Sequence, residues 1–251
     1  MGENNLENKS YSRLARLYDL IHSDKDYKKE VEFIEFVIEK MSKRKVNSIL
    51  DVACGTGSHA IHLKKNYFVI GIDSAKSMLE VAKKKVKDID FFREDMRDFN
   101  LDRTFDALVC LNDSFSYNTT EEEIIDTLRC FSKHLENDGI ILFDVLSILP
   151  KERVEINSFV ENDTEVSRIS KWVPNEKNTV RVEYIYFVRQ GNNSEFHVDH
   201  HTYNLINLRR LRKLMKKAGF KDIHILNGFS KNRYKRGSPR AVFVGRYVRK
   251  N

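Results

Sequence analysis

The sequence predicts an α/β fold, a doubly wound and mostly parallel sheet that carries an inserted antiparallel β-subdomain. Short apolar segments alternate with helical segments up to residue 145, and a glycine-rich turn closes the first apolar segment. This rhythm stops after Pro150, and residues 165–206 then alternate apolar and polar positions as antiparallel strands do. We therefore expect a single domain over residues 1–251, with the inserted subdomain at 151–206.

The elements of the parallel sheet follow one another along the chain. A first helix is expected over residues 11–40, because apolar residues such as Val31 and Ile34 recur there at helical spacing. Five strands come next, at Asn47–Ala53, Phe68–Ile72, Asp90–Phe92, Phe105–Leu111 and Ile140–Val145. The helices between them are expected at His59–Lys65, from an N-cap at Ser74 to Lys87, and at Glu121–Leu135, with a turn at Asn137–Gly139 before the fifth strand.

The chain closes with one helix and two strands. Three strand-like runs within the insert, joined by Asn-rich and Gly-containing turns, predict an antiparallel meander over one end of the main sheet. A helix follows at Leu208–Lys217, and Gly219 ends it. The last two strands are expected at Asp222–Leu226 and Ala241–Val248.

The composition excludes several classes of protein. No stretch approaches the roughly 20 apolar residues that a membrane-spanning helix needs, and the first segment, MGENNLENKS, does not resemble a signal peptide. Cys54, Cys110 and Cys130 show no paired spacing, so we expect free thiols in a reducing compartment. These features favour a cytoplasmic protein without a membrane partner.

The net charge of +7 is distributed unevenly. Residues 205–251 hold 15 Lys or Arg and a single acid, Asp222, so this region carries +14. Such a region attracts an anionic partner, which could be nucleic acid, a membrane surface or a phosphorylated small molecule. It is equally typical of a solvated helix face followed by a basic tail. The charge alone leaves these alternatives open.

The strongest motif is the run Leu50–Gly57, LDVACGTG. A buried strand leads into a turn where Gly55 and Gly57, which lack a Cβ, let a ligand approach the backbone. The N-terminus of the helix that follows favours an anion. With Ala60 the run also fits the G-x-G-x-x-A pattern of dinucleotide-binding domains. The glycines alone therefore leave a nicotinamide cofactor as an alternative.

Residues at the ends of three successive strands separate these alternatives. Asp51 lies four residues before the first glycine, where a carboxylate attracts an ammonium group and repels a pyrophosphate. Asp73 ends the second strand, where it can accept hydrogen bonds from both hydroxyls of a ribose. Asp95 and Met96 follow the third strand and suit the amino group and the ring of an adenine. The set favours an adenosine joined to an amino acid over a dinucleotide.

Together with LDVACGTG, the segments GIDSAKSML, REDMRDF and FDALVCLNDS resemble the successive motifs of class I S-adenosylmethionine-dependent methyltransferases, over roughly residues 11–145. The resemblance implies a Rossmann-like sheet of seven strands in the order 3-2-1-4-5-7-6, with the last strand antiparallel. It also implies S-adenosyl-L-methionine as cofactor. The residues implied to hold it are Tyr18, Tyr27, Asp51, Ala53, Gly55, Gly57, Asp73, Ser74, Met78, Asp95, Met96 and Leu111. The two tyrosines would form an aromatic lid, and ordinary packing of the first helix is the alternative.

A narrower resemblance concerns the acceptor. Several segments are similar to bacterial nucleotide-sugar N-methyltransferases, which dimethylate an amino group on a dTDP-linked deoxysugar. They are Leu17–His22, Lys25–Tyr27, DMRDF, Val166–Ser170, Arg181–Glu183 and Gly237–Phe243. The resemblance implies a small-molecule acceptor. An amino sugar carried on a nucleotide is one interpretation, another small amine or hydroxyl compound is the other, and a homodimer is compatible with both.

Tyr117, just past the fourth strand, is the candidate catalytic residue. It lies in the segment expected to face the transferred methyl, where the resemblance implies a histidine, so this chain departs from the pattern. A tyrosine with a pKa near 10 is a poor base at neutral pH, but it can orient a neutral amine. Transfer from an activated sulfonium depends mainly on positioning, which makes a strong base optional. A purely structural aromatic is the alternative.

Three residues are candidates for contact with the acceptor. Trp172 and Arg181 lie in the insert expected to cover the acceptor, although a plain hairpin surface would explain them equally. Arg240, preceded by Lys235 and Arg236, could hold a diphosphate through forked, charge-assisted hydrogen bonds.

Two other functions were weighed against these residues. His197 and His201 share a strand face, but His200 opposes them and no cysteine completes the set, so no metal is expected. Methylation of RNA is the main competing function, since aromatic residues such as Phe229 and Tyr234 interleave the basic C-terminal region. Against it, no RNA-binding module is appended, and no N-P-P-Y-like tetrapeptide follows the fourth strand.

Overall fold

The structure is a computed structural model that describes residues 14–148, 151–175 and 178–249. Its strands are β1 (Ser48–Val52), β2 (Phe68–Asp73), β3 (Asp90–Arg93), β4 (Phe105–Cys110), β5 (Leu135–Leu146), β6 (Arg153–Glu161), β7 (Thr164–Pro174), β8 (Thr179–Gln190), β9 (Asn193–Asn204), β10 (Phe220–Asn227) and β11 (Arg240–Tyr247). Its α-helices are α1 (Tyr18–Ile21), α2 (Tyr27–Met41), α3 (Ala60–Leu63), α4 (Lys76–Lys85), α5 (Glu121–Lys133) and α6 (Leu208–Lys217). Short 3-10 turns lie at Ala15–Leu17 and Ser114–Tyr117.

The main sheet has seven strands in the order β3-β2-β1-β4-β5-β11-β10. The first five strands run parallel, and β11 pairs antiparallel with both β5 and β10. The predicted strand order and the antiparallel ending are therefore confirmed. β1 lies between β2 and β4, so the order of the sheet reverses there, which in open α/β sheets opens a crevice at the carboxyl ends of the strands.

The carboxyl ends of the central strands lie level with one another. Val52 at the end of β1 pairs with Ile72 on one side and with Cys110 on the other. Residues that follow these strands in the sequence are consequently gathered along one edge of the sheet. That edge contains the candidate site.

Helices cover both faces of the main sheet. Successive side chains of each strand point to opposite faces, and apolar residues on both faces need to be buried. Phe143 and Phe243 pack on one face with Phe131 of α5 and Leu211 of α6. The neighbouring strand positions belong to a second apolar cluster, formed with α2, α3 and α4, in which Ile34 is fully buried. Truncating a fully buried phenylalanine of such a core to alanine costs about 3–5 kcal/mol. The sheet is therefore a rigid base for the edge above it.

The second sheet has four antiparallel strands in the order β6-β7-β8-β9. The sequence predicted strands in this region only from residue 165 onwards, and β6 was missed. β6 is an edge strand, and eight of its nine residues are exposed. Val154 and Ile156 of β6 do alternate with polar neighbours, so the strand signal is present in the sequence, although both side chains are exposed at the edge of the sheet.

The inner face of the second sheet packs on the first helix of the chain. Val166, Tyr186 and Val188 form a small apolar cluster with Leu14 and Ile21. Strand β9 also reaches the 3-10 turn after β4, since its Tyr203 lies 3.1 Å from Tyr117, hydroxyl to hydroxyl. The inserted sheet therefore covers the carboxyl edge of the main sheet like a roof.

The first helix is not continuous as predicted. Residues 22–26 separate α1 from α2, and the side chain of Asp26 caps α2 by accepting a hydrogen bond from the backbone N–H of Lys29 at 3.0 Å. Apolar spacing alone could not show this break. Residues 11–13 of the predicted helix lie outside the described part of the chain.

Two local predictions also need correction. The N-cap of α4 is Ala75 and not Ser74, and the carboxylate of Asp73 accepts the N–H of Ala75 at 2.8 Å. The turn expected at Asn137–Gly139 lies inside β5, where Asp138 has a φ of 67° and the pairing with β4 shifts register. Among the described helices, none has the length and apolar character to cross a membrane.

Candidate active site

Two cavities adjoin at the carboxyl edge of the main sheet. The roof cavity, about 430 Å³, lies under the second sheet, and the edge cavity, about 520 Å³, lies beyond the ends of β2 and β3. Residues that line both are Tyr18, Ala53, Gly55, Met78, Ser114 and Tyr117. The two cavities therefore meet at the glycine turn and at Tyr117, which is the geometry that two reacting molecules need.

The two glycines of the turn differ in function. Gly55 has a φ of +57°, and a Cβ built on it would meet nothing within 4 Å, so it leaves open space toward both cavities. Gly57 has a φ of +75°, and its Cβ would lie 3.3 Å from Phe91 and Val86. Gly57 lines neither cavity, contrary to the expectation that both glycines face a ligand. It is required by its backbone conformation and by close packing beneath the turn.

Asp51 is a buried carboxylate that faces the roof cavity. Its side chain is 1% exposed, and its Oδ2 atom has no hydrogen-bond partner within the described residues. Burial, together with the nearby charge of Asp73, raises the pKa of Asp51 to about 8. An unpartnered buried acceptor is costly. The site therefore fits an ammonium group, as expected for the amino-acid part of S-adenosyl-L-methionine.

Asp73 is held in place by the backbone around it. Its Oδ2 accepts the N–H of Gly55 at 2.9 Å and its Oδ1 accepts that of Ala75 at 2.8 Å. Burial raises the pKa of Asp73, and these two hydrogen bonds oppose the increase. Because Asp73 lines the edge cavity beside Ser74, its remaining lone pairs fit the two hydroxyls of a ribose.

The other end of the edge cavity is formed by Asp95 and Met96. The guanidinium of Arg97 grips the carboxylate of Asp95 with hydrogen bonds of 2.6 and 2.9 Å. Burial acts to raise the pKa of Asp95, but the bonds from Arg97 outweigh it and hold that pKa below its usual range. The carboxylate is thus ionised and fixed, as an acceptor for an exocyclic amino group should be.

The helix that carries Tyr18, a residue expected to form an aromatic lid, is fastened to the glycine turn. Tyr18 of α1 lines both cavities, and Tyr27 and Leu111 line the roof cavity. The carboxylate of Asp19, next to Tyr18, accepts the hydroxyl of Thr56 at 2.6 Å. It also lies 3.1 Å from the hydroxyl of Ser58 and 2.6 Å from the ammonium of Lys85. We call this set of four residues the Asp19 latch.

Tyr117 belongs to a buried chain of hydrogen bonds that the sequence did not reveal. Its hydroxyl lies 2.5 Å from Nδ1 of His201, and Nε2 of that histidine lies 2.5 Å from Oδ2 of Asp199. The side chains of His201 and Asp199 are 4% and 6% exposed, and both residues line the roof cavity. The signal was present in the strand alternation, which puts Asp199, His201 and Tyr203 on one face of β9. The alternation along β9 does not show which residues that face contacts.

The inserted sheet contributes two buried donors to the roof cavity that have no partner among the described residues. The indole Nε1 of Trp172 and the Nε of Arg168 have no hydrogen-bond acceptor among the described residues, and both side chains line the cavity. Trp172 was expected to face the acceptor, but Arg168 was overlooked. Arg181 was expected there too, yet it lies on the exposed face of β8 beside His200 and lines neither cavity.

Arg240 is committed to two carboxylates. It lines the roof cavity, but its guanidinium bonds Asp113 at 2.6 Å and lies 3.3 Å from buried Asp144. Burial raises the pKa of Asp144 to about 7, Asp113 adds to the increase, and Arg240 opposes it. Lys235 and Arg236, expected to join Arg240 at the acceptor, line neither cavity. The predicted diphosphate grip is therefore reduced to one arginine whose charge is already neutralised.

A metal centre is not found in the part of the chain that the structure describes, where no three His, Cys, Asp or Glu side chains converge. The basic C-terminal region is also partly neutralised. Arg210 pairs with Glu121 at 2.5 Å, and Arg246 pairs with Asp222 at 2.6 Å.

Comparison with known proteins places these features in context. A family model described as a methyltransferase domain matches residues 49–139. YqeM of Bacillus subtilis (strain 168), a candidate methyltransferase, is 30% identical over 217 residues, which cover 84% of this chain and 86% of YqeM. The dTDP-3-amino-3,6-dideoxy-alpha-D-glucopyranose N,N-dimethyltransferase of Streptomyces fradiae is 34% identical over 134 residues, which cover 52% of each protein. The crystal structure of Streptomyces venezuelae DesVI matches with a TM-score of 0.84 and 28% identity, over 93% of this chain and 98% of DesVI.

Proposed function

This chain belongs to the S-adenosylmethionine-dependent methyltransferases, and we propose that it methylates an amine on a small-molecule acceptor, specifically an amino sugar carried on a nucleotide. S-adenosyl-L-methionine is its methyl donor, and when bound it supplies a methyl group already activated on a sulfonium. Asp51 would hold the ammonium of the donor, Asp73 its ribose, and Asp95 with Met96 its adenine.

The observation that carries the acceptor proposal is the lining of the roof cavity. Trp172, Tyr184 and Tyr203 line it, and aromatic rings suit contact with the C–H groups of a pyranose. The unpartnered donors of Trp172 and Arg168 suit the oxygen atoms of a sugar or a phosphate. Asp113 adds an unpartnered buried acceptor, its Oδ1. A cavity that combines aromatic side chains with many polar groups, both donors and acceptors, favours a carbohydrate over a plain aliphatic amine.

The similarity to the Streptomyces fradiae enzyme supports the same acceptor class. That enzyme is named for an amino group on a dTDP-linked deoxysugar, and it shares 34% identity with this chain over about half of each protein. The resemblance and the cavity lining are independent observations, since one is read from sequence and the other from geometry.

The residues of this chain supply position and exclude water. Tyr117 lies where the two cavities meet, so its hydroxyl can hydrogen-bond the acceptor amine and aim the lone pair at the methyl. The second sheet and α1 close the cavity from above, which lowers the local dielectric and strengthens each of these bonds. Positioning of this kind can supply most of the acceleration that an activated methyl group requires.

A donor-turnover screen tests the proposal. The purified protein is incubated with S-adenosyl-L-methionine and, separately, with dTDP-amino sugars, free amino sugars, small amines and bulk RNA, and release of S-adenosylhomocysteine is measured. We expect the highest kcat/KM with a nucleotide-linked amino sugar. Turnover confined to RNA, with steeply salt-dependent binding, would favour the alternative that the basic C-terminal region suggests.

A further inference from the structure

We propose that His201, held by Asp199, accepts through Tyr117 the proton that the acceptor amine must lose. This inference rests on the proposed function only in requiring an amine acceptor, not an amino sugar. An amine attacks a methyl group through its lone pair, so the protonated form that dominates in neutral water is unreactive. A buried site that binds the amine needs a group to take this proton.

The geometry assigns a direction to proton movement. The carboxylate of Asp199 lies 2.5 Å from Nε2 of His201 and accepts a hydrogen bond from the N–H that the neutral imidazole carries there. Nδ1 then keeps a lone pair, and the hydroxyl of Tyr117, at 2.5 Å, donates to it. With its own hydrogen turned toward His201, the Tyr117 oxygen acts as an acceptor; the hydroxyl of Tyr203 lies 3.1 Å from it, and Tyr117 lines both cavities, from which an amine can reach the same oxygen. It is therefore arranged to accept a hydrogen from an amine.

The transfer balances without another reagent. The ammonium of the acceptor gives one proton to the Tyr117 oxygen as the phenolic proton moves to Nδ1 of His201, which leaves a neutral amine, a neutral tyrosine and an imidazolium. The amine nitrogen then forms its bond to the methyl carbon while the bond from carbon to sulfur breaks, and the electron pair stays on sulfur. The product is again an ammonium, and the proton on His201 leaves to solvent after the products depart.

The surroundings of His201 suit a cation that forms during the reaction. Asp199 is buried, so its charge acts through a low dielectric and stabilises the imidazolium. The rings of Tyr184 and Tyr203 flank His201 at 5.2 and 5.9 Å between centroids. Arg168 of β7, Asp113 before the 3-10 turn and Arg240 of β11 also line this cavity, and of these Asp113 and Arg240 pair with each other at 2.6 Å. Asp199 is the acid in direct contact with the ring.

A purely structural role is the competing explanation. The same hydrogen bonds join β9 of the roof to the turn after β4, so a variant could lose activity because the roof shifts. His201 acts on the acceptor through Tyr117 and is therefore a positioning residue, which requires a test that separates proton transfer from folding.

The decisive experiment measures kcat against pH for His201→Gln, which keeps a hydrogen-bonding side chain but cannot take up a proton. His200→Gln is the matched control, because it changes the neighbouring residue on the exposed face of β9. At neutral pH we expect kcat of His201→Gln to fall by about 100-fold or more, the usual contribution of a positioned acid–base group. The deficit should shrink as pH rises, because the amine then loses its proton to water. The Kd of S-adenosylhomocysteine and the activity of the control should stay within about twofold of wild type, a small free-energy difference.

Two further variants make the outcome unambiguous. Tyr117→Phe should show the same loss, and the double variant should be no worse than either single variant, since residues that act as one unit are not additive. The assay uses whichever amine the wild-type enzyme methylates, so failure of the amino-sugar assignment leaves it intact. A kcat for His201→Gln within about threefold of wild type would overturn the inference, since acid–base groups contribute far more. So would a deficit that is equal at every pH.

Discussion

The carboxylate of Asp19 accepts a hydrogen bond from the hydroxyl of Thr56 at 2.6 Å, and so joins the helix that carries Tyr18 to the glycine turn of the donor site. The residues are 37 positions apart in the sequence. Lys85 of α4 reaches the same carboxylate from a third element. The hydroxyls of Thr56 and Ser58 and the ion pair with Lys85 thus hold α1 against the glycine turn.

The first prediction concerns this latch. Thr56→Val keeps the shape of a side chain that is 1% exposed but removes its hydroxyl. The hydroxyl donates to Asp19 and accepts from Lys85, so its loss, about 1 kcal/mol or more, should speed release of S-adenosylhomocysteine roughly fivefold or more, as stopped-flow fluorescence can measure. Thr104→Val is the control, because it removes a hydroxyl bond to Glu136 beside the amino end of β4. Equal release rates for both variants would mean that the latch does not hold the lid.

The second prediction is a pH dependence of donor binding. The pKa of about 8 means that free Asp51 is protonated at neutral pH, so binding an ammonium must expel that proton. Affinity for S-adenosylhomocysteine should rise by up to about tenfold per pH unit below this value and level off near it. Because the folded pKa is raised, Asp51 favours the fold most at low pH, and this contribution is lost as pH rises through about 8.

Asp51→Asn is the matching variant. It should bind S-adenosylhomocysteine more weakly and without this pH dependence, and calorimetry in buffers of different ionisation enthalpy should find less proton release than for wild type. The same number of protons released by both proteins would exclude Asp51 as the partner of the ammonium.

The third prediction concerns Asp73. Replacing it by Ala should cost about 2–3 kcal/mol of donor affinity, since hydrogen bonds to a charged acceptor contribute more than neutral ones. Part of this loss should come from the backbone N–H of Gly55, which loses its acceptor. Asp90→Ala is the control, because Asp90 begins β3 at the far edge of the sheet and is exposed. Wild-type affinity in Asp73→Ala would show that Asp73 does not hold the ribose.

The fourth prediction revises the function expected of Arg240. Removing it leaves Asp144 buried beside Asp113 without a cation, so Arg240→Met should lower the free energy of unfolding by about 3 kcal/mol, as breaking buried pairs does. The pKa of Asp144 is already raised, so the deficit should grow as pH rises and this acid ionises. Denaturant unfolding at pH 5.5 and pH 8 measures the difference.

Arg236→Met, in the loop that precedes β11 and exposed, should unfold like wild type at both pH values. The double variant Arg240→Met with Asp144→Asn should regain part of the lost stability. A rise in acceptor KM for Arg240→Met at unchanged stability would instead restore the phosphate-binding interpretation.

The donor side could be predicted from sequence because its residues follow strands that are neighbours in the sheet. Once β1, β2 and β3 are recognised, Asp51, Asp73 and Asp95 must lie along one edge. Gly57 lines neither cavity, and its φ and its packing against Phe91 and Val86 are features that the motif alone does not show. The start of α4 could not be predicted for a similar reason. The carboxylate of Asp73 accepts the N–H of Ala75, and the N-cap is therefore Ala75 and not the predicted Ser74.

The acceptor side could not be predicted in the same way. Tyr117 and His201 are 84 positions apart in the sequence. They come into contact through the packing of the second sheet on the first helix of the chain. Alternation along β9 shows which side chains share a face but not what that face covers. Of the two alternatives open for Arg181, contact with the acceptor or a plain hairpin surface, its exposed position on β8 fits the second.

The residues proposed to bind the donor and those of the inserted sheet lie in separate parts of the sequence, which has an evolutionary consequence. Asp51, Asp73 and Asp95 precede residue 100, while Arg168, Trp172 and His201 come from the inserted sheet. New acceptors can therefore be explored by varying the insert while the donor half stays constant. The bond from Tyr117 to His201 crosses that boundary, so grafting a foreign insert onto this scaffold would also require a residue at position 117 that matches it.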